Sequence, residues 1–574
     1  MNCKWCFLFI ALIALSCSKT KKQASYAGGK ISLCLESIDV NLEPEFISDY
    51  SSQMVLSQVF EGLVVLDTKE MVVKPQLAKK IDVKNNGLTY EFTLRDDVYF
   101  HDFGDRDSDR LLTPDDVVYS IEKACVKLKN KAPSLAYSIV YQSTLEGADE
   151  FHTGKTGKIS GLRIKGNKVI LSLLRKDNNF LQKLSLVCCS IQSSKLNNKS
   201  EPKIGTGPFC LVPRNMDDKR IILVKNQDYY DYDKKGCALP YLDSLEFILN
   251  PKKLKQLEMF ENREVDMIIG LPASRITQML EGRLNDFNSK PPLFVLHNNA
   301  QLVTNYYFFD LTDPRFKKKK VRQAFNYAFN KTKIGTNILQ NQFYELGYYG
   351  IIPPIASIFK GYDFKSIQKN AYEYNPEKAK ALLAEAGYPN GAGFGNVELR
   401  FNINDVHSAI ADEFAKQIKQ VLNINVNIDG SSFVQLLNDQ EKGNGHIFRS
   451  AWAADYPSAE TFLINFYGGK VPMKRNEASI VNKSRYKNPL FDQFLDKAQN
   501  EPKITKRREY YNRAEIELMK DPPIIPLWYS GEFEIIYADI RNLNINPLDL
   551  FVFKEVYKKE WSSKEYRDYM KKIY

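Results

Sequence analysis

The chain has 574 residues, of which 44% are hydrophobic and 26% charged. It is too long for one hydrophobic core, since single cores stop growing at roughly 250 to 300 residues, so two or three domains are expected. The formal charge of +11 does not single out nucleic acid as a partner, because Lys and Arg are spread along the chain instead of forming one patch.

Residues 1–16 read as a signal peptide. Lys4 gives a positive start, Phe7–Leu15 an apolar run, and small Ser16 stands before Cys17. That run falls short of the roughly 20 apolar residues a permanent membrane span needs, so cleavage is expected. The ending "IALSC" resembles a bacterial lipobox, with Ala14 where the usual pattern has Leu. On that resemblance Cys17 becomes the lipidated first residue of the mature chain; an ordinary secretory signal is the alternative, and either takes the protein out of the cytoplasm. Residues 17–29 are polar and suit a flexible tether.

Of nine cysteines, Cys3 and Cys6 leave with the signal, and no CxxC spacing survives in the mature chain, so neither a zinc nor a thioredoxin-like site is indicated. Export permits disulfides, and Cys210 with Cys237 is a candidate bridge.

Along the chain, Leu88–Phe100 alternates apolar and polar residues like a half-buried strand. A helix follows: Thr113 is its N-cap, Pro114 its first residue, and Asp115 and Asp116 complement the dipole of its first turn. "GTGPF", Gly205–Phe209, is turn chemistry ahead of a strand. The basic run Arg315–Gln323 opens an amphipathic helix whose apolar face is Val321, Ala324, Phe325, Ala328 and Phe329, which leaves its lysines in water. In "YNPEKAKALLAEAGYP" Asn375 caps, Pro376 starts and Gly387 ends another helix.

Catalytic motifs are missing. His101, His152, His297, His407 and His446 are scattered with no metal-ligand spacing, so no metal site is expected. "TGKTGK", Thr153–Lys158, lacks the glycine register of a phosphate loop, and neither GxSxG nor GxGxxG occurs.

The segments "FEGLVV", "LTYEFTLRDDVYFHD", "LTPDDVVYS", "GTGPF", "VRQAFNYAFNK", "YNPEKAKALLAEAGYP" and "WAADYPSAETF", in this order, resemble the solute-binding proteins of peptide ABC importers, over about Lys30 to Leu527. The resemblance implies an α/β fold of two hinged lobes with an extra domain inserted in the first. Residues 30–60, 195–290 and 525–574 would form the N-terminal lobe, 61–194 the insert and 291–524 the C-terminal lobe. It further implies a monomer without cofactor or catalytic residue. This monomer would stand in the periplasm or on the cell surface, held to the membrane by lipid, and would pass oligopeptides to permease subunits. Relatives of the fold carry nickel, haem or sugars, which remain alternatives, as does a secreted hydrolase.

By the same resemblance Asp455 pairs with the ligand's α-amino group, within a strand edge that includes Ala451, Trp452 and Ala453. Arg449 meets a ligand carboxylate, and the backbone of Ser48, Asp49 and Tyr50 supplies a second edge. The chemistry is sound independently: a carboxylate in a dry cleft is poorly solvated, and an ammonium brings both counter-charge and donors. A turn or capping role for Asp455, and a surface ion pair for Arg449, are the structural alternatives.

Overall fold

The computed structural model describes residues 21–47, 49–101, 110–129, 133–195, 203–213, 219–271, 275–474 and 477–573. Residues 1–16, Cys17 and Ser48 lie outside the described residues. Among those described, no helix is long and apolar enough to cross a membrane.

The local signals appear where the chain chemistry demands them. The helix Pro114–Cys125 begins with the Asp116 carboxylate accepting from the Thr113 N–H at 2.8 Å. The helix Pro376–Glu385 is capped by Asn375, whose side chain accepts from the Lys378 N–H at 3.0 Å. In the helix Lys319–Ala328, Val321, Ala324, Phe325 and Ala328 are buried while Lys319 and Lys320 are exposed. Arg322 departs from that pattern: it is buried and pairs with Asp521, and its Nε donates to the Pro522 carbonyl at 2.8 Å.

Gly205 and Gly207 have no left-handed φ; a methyl group on either would collide with the Val59 backbone, so close approach is what requires glycine there. The expected tether is also partly docked, since the Tyr26 ring stacks on Tyr557 at 4.0 Å and meets Tyr241 edge-on at 5.1 Å. No disulfide joins Cys210 and Cys237, both of them buried, which corrects the candidate bridge.

Among the described residues one 11-stranded mixed sheet runs from near the N-terminus to beyond Ile524. Its middle is a long antiparallel pair, Phe294–Phe309 with Ile524–Tyr537, in register from Phe294↔Tyr537 to Phe308↔Ile524 except for breaks between Ala300 and Thr304 and between Asn305 and Tyr306. On one side Ile524–Tyr537 continues through Met267–Ile269 to Lys30–Leu35, Ser244–Leu249, Arg220–Lys225 and Phe209–Leu211. On the other, Phe294–Phe309 continues to Ile447–Ala453, Val397–Asn402 and Val426–Ser431.

The apolar cores separate accordingly. One combines residues from 31 to 60 with 209–294 and 535–556. A second is drawn from 63 to 191 around the four-stranded sheet that contains Thr89–Leu94. The remainder, from 302 to 528, packs on the far half of the large sheet. The long central pair joins the first and last of these regions, with Phe294 and Tyr537 packing in one and Tyr307, Ile525 and Trp528 in the other.

Candidate functional site

The strand Ile447–Ala453 pairs along its whole length with Phe294–Phe309, from Phe309↔Ile447 to Val303↔Ala453. Its other edge pairs only at Leu399↔Ile447 and Arg400↔Phe448. From Arg449 onward, therefore, no described strand covers that edge; Gln440 Nε2 donates to the Arg449 carbonyl at 2.7 Å, and the backbone beyond it is a template for an added strand.

Asp455 stands two residues beyond the strand end. It is half-buried, and its carboxylate accepts from the Thr461 hydroxyl at 3.3 Å, which in turn accepts from the Trp452 indole N–H at 3.3 Å. Burial pushes its pKa up to about 6, opposed in part by Thr461 and by the charge of Lys183. That lysine is already engaged, 2.8 Å from Asp177 and 3.6 Å from Glu460. Asp455 is thus a desolvated carboxylate with no ion-pair partner among the described residues, and it caps no helix.

Arg449 is the complementary case. The residue is half-buried; its guanidinium donates to Asn402 Oδ1 at 3.3 Å and Asn305 Oδ1 at 3.0 Å, while its buried Nε has no partner. Burial brings its pKa down to about 10. No described carboxylate pairs with it, so the surface-ion-pair alternative does not hold. A half-buried cation held only by two amides retains capacity for an anion.

Two cavities flank the strand. The larger, about 270 Å³, opens where the parallel strands Lys30–Leu35 and Met267–Ile269 end, at Leu35, Glu36 and Ile269. Gln301–Val303, in the register break of the central pair, Tyr50, and Ala453 with Ala454 close it. Carboxyl ends of parallel strands beside a change of strand order are where open α/β sheets bind ligands. The second cavity, about 220 Å³, is lined by Arg449, Ser450, Ala451 and Trp452 together with Lys483. The structure therefore gathers Arg449, Ala451 and Trp452 around one cavity and Tyr50 and Ala453 around the other; the wall stops at Ala454, one residue short of Asp455.

Asp49 and Tyr50 differ from the expected strand edge. Asp49 is the N-cap of the helix Tyr50–Val59, accepting from the Ser52 N–H at 2.8 Å, and Tyr50 is the first helical residue. Asp49 keeps an extended backbone as the cap that fixes the helix start, whereas Tyr50, already helical, contributes to the cavity as part of its wall. Sequence reasoning missed Gln301, Glu532 and Asp549, which also line the larger cavity. The only local signal was the alternation "EFE" at Glu532–Glu534 late in a strand.

Among the described residues no group of three or more His, Cys, Asp or Glu could hold a metal ion.

Comparison with known proteins agrees with this architecture. Residues 72–473 match the model of bacterial extracellular solute-binding proteins, family 5 (middle). The oligopeptide-binding protein OppA of Bacillus subtilis is 24% identical over 533 residues, 90% of each chain. The heme-binding protein A of Haemophilus influenzae is 26% identical over 542 residues, 91% of this chain and 90% of its own. A solved structure of the ABC transporter-associated periplasmic binding protein DppA from Helicobacter pylori, in complex with the peptide STSA, superposes with a TM-score of 0.74 at 23% identity, covering 93% of this chain and 99% of that one. Such likeness shows a two-lobed periplasmic-binding-protein fold, and the relatives are binding proteins, not enzymes. The chain belongs to the family 5 bacterial extracellular solute-binding proteins.

Proposed function

We propose that this protein binds oligopeptides between its lobes and delivers them to the membrane permease of an ABC importer, anchored outside the cytoplasm through lipid on Cys17. The observation that carries the reading is Asp455, a desolvated carboxylate without a counter-ion beside a strand edge left open from Arg449 onward. An extended ligand adds to that edge by main-chain hydrogen bonds, which bind without reading side chains. Its α-ammonium pairs with Asp455 and its carboxylate with Arg449.

In this reading residues 30–60, 195–290 and 525–574 form one lobe, 61–194 the insert and 291–524 the other lobe, and the register break in the central strand pair is the hinge. The separation of the apolar cores supports the division. Closure would be held where the insert meets the C-terminal lobe: Asn179 donates to Glu460, and Asn178 Nδ2 donates to the Glu501 carbonyl at 3.1 Å.

A double cycle tests the site. Asp455→Asn should cost about 2 to 5 kcal/mol of peptide affinity, and acetylating the ligand's N-terminus a similar amount, because each leaves the other charge unpaired. Applied together they should be far from additive. Calorimetry on the four combinations gives the coupling; full additivity would return Asp455 to a structural role.

A further inference from the structure

Four carboxylates converge on the larger cavity. Glu36, Glu532 and Asp549 line it. Glu534 lies behind them on the same strand face as Glu532, two residues along, with its charge within reach of Asp549, Glu532 and the Tyr50 hydroxyl.

Little faces this group from the neighbouring elements. Lys253 is the only cation among the lining residues, and its ammonium sits 3.0 Å from Glu36 and donates to the Ile269 carbonyl at 2.5 Å. Gln301 Nε2 donates to Glu532 at 2.8 Å and also to Asp549. The Tyr50 hydroxyl donates to the Asp549 carbonyl, not to a carboxylate, at 3.2 Å. His297 lies opposite Glu534 in the strand register, and burial holds its pKa below the usual value, which keeps it neutral.

Three acceptors are left over. Glu534 is 0% exposed, and neither of its oxygens nor Asp549 Oδ1 has a hydrogen-bond partner. Buried acceptors without donors are costly, and native proteins leave few of them. Burial and mutual repulsion push Glu534 up to about 8 and Asp549 up to about 7, so a cation bound beside them would lower both and release protons.

We infer that this cavity is a subsite for a basic side chain, the ammonium of Lys or the guanidinium of Arg, on the bound peptide. The inference rests on the peptide reading above. An ammonium brings three donors and a guanidinium five, enough for the open lone pairs of Glu532 and Asp549, while Glu534 adds charge from behind. The cavity abuts Ala453 and Ala454, so a side chain projecting from a peptide strand laid on that edge reaches it without leaving the cleft.

Calorimetry on the full chain compares tripeptides with Lys at each position in an alanine background with their norleucine counterparts, which keep the aliphatic stem and lack the charge. At least one Lys peptide should bind on the order of ten- to a hundred-fold more tightly than its counterpart. Its binding should release protons that the norleucine peptide does not release, seen as different heats in phosphate and Tris buffers at about pH 7.5. Glu532→Gln combined with Asp549→Asn should abolish both differences. Equal binding of Lys and norleucine peptides at every position, no extra proton release, or a preference unchanged in the double variant overturns the inference and leaves the peptide reading intact. Failure of both peptide sets to bind overturns both. Should the double variant not fold, the proton release of the unmodified protein still decides.

Discussion

Trialanine binding should depend on pH through Asp455, in one direction. In the proposed site the ligand ammonium pairs with the ionised carboxylate, and without ligand burial holds that group at about 6. The bound ammonium lowers the pKa again, so affinity is complete above the free-state value and is lost as pH falls through it. With a free-state pKa near 6, the ionised fraction is about nine-tenths at pH 7 and about one-tenth at pH 5, so the apparent Kd rises about tenfold between them. An ordinary aspartate, with a pKa of about 3.9, would leave binding nearly flat over the same range. The α-amino group of the peptide stays protonated throughout, since it titrates at about 7.7 to 8.0, and trialanine offers no side-chain cation to the Glu532 and Asp549 carboxyls. Calorimetry from pH 5 to pH 7 on the unmodified protein and on Asp455→Asn measures the slope. A flat profile in the unmodified protein, or the same slope in the variant, refutes the assignment.

Three further outcomes follow from particular contacts. Asn179→Ala strips a donor from the buried Glu460 carboxylate across the boundary of the proposed insert and should raise the peptide Kd by roughly tenfold while enlarging the radius of gyration seen by X-ray scattering. Gly207→Ala drives a methyl group into the Val59 backbone and should lower the ligand-free melting temperature, at a cost of about 1 to 3 kcal/mol. Arg449→Gln should weaken a tripeptide acid roughly ten- to a hundred-fold by calorimetry, yet leave its C-terminal amide nearly unaffected, because only the acid offers the guanidinium a charge.

What the sequence determined by itself was local. Thr113 and Asn375 mark helix starts because a side chain meets a backbone N–H three residues away, Asp116 accepting from Thr113 and Asn375 from Lys378, and the spacing from Val321 to Ala328 marks an apolar face, so these needed no partner segment. The isolation of Asp455 from basic neighbours was legible for the same reason, whereas the strand edge around Ala451 to Ala453 was implied only by the family resemblance. Tertiary structure decided what depends on distant segments. Asp49 became a helix cap instead of an edge, and Arg322, written within a basic run, was buried against Asp521, 199 positions away. Gly205 and Gly207 turned out to serve close packing on Val59, which no turn rule announces. The cavity carboxylates are the clearest case. Glu532 and Glu534 look like surface acids on an alternating strand, and Asp549 like a loop residue. Only the pairing of Ile524–Tyr537 with Phe294–Phe309, broken in register at Gln301–Val303, brings them together away from water, where burial and mutual repulsion, not residue type, set their charge.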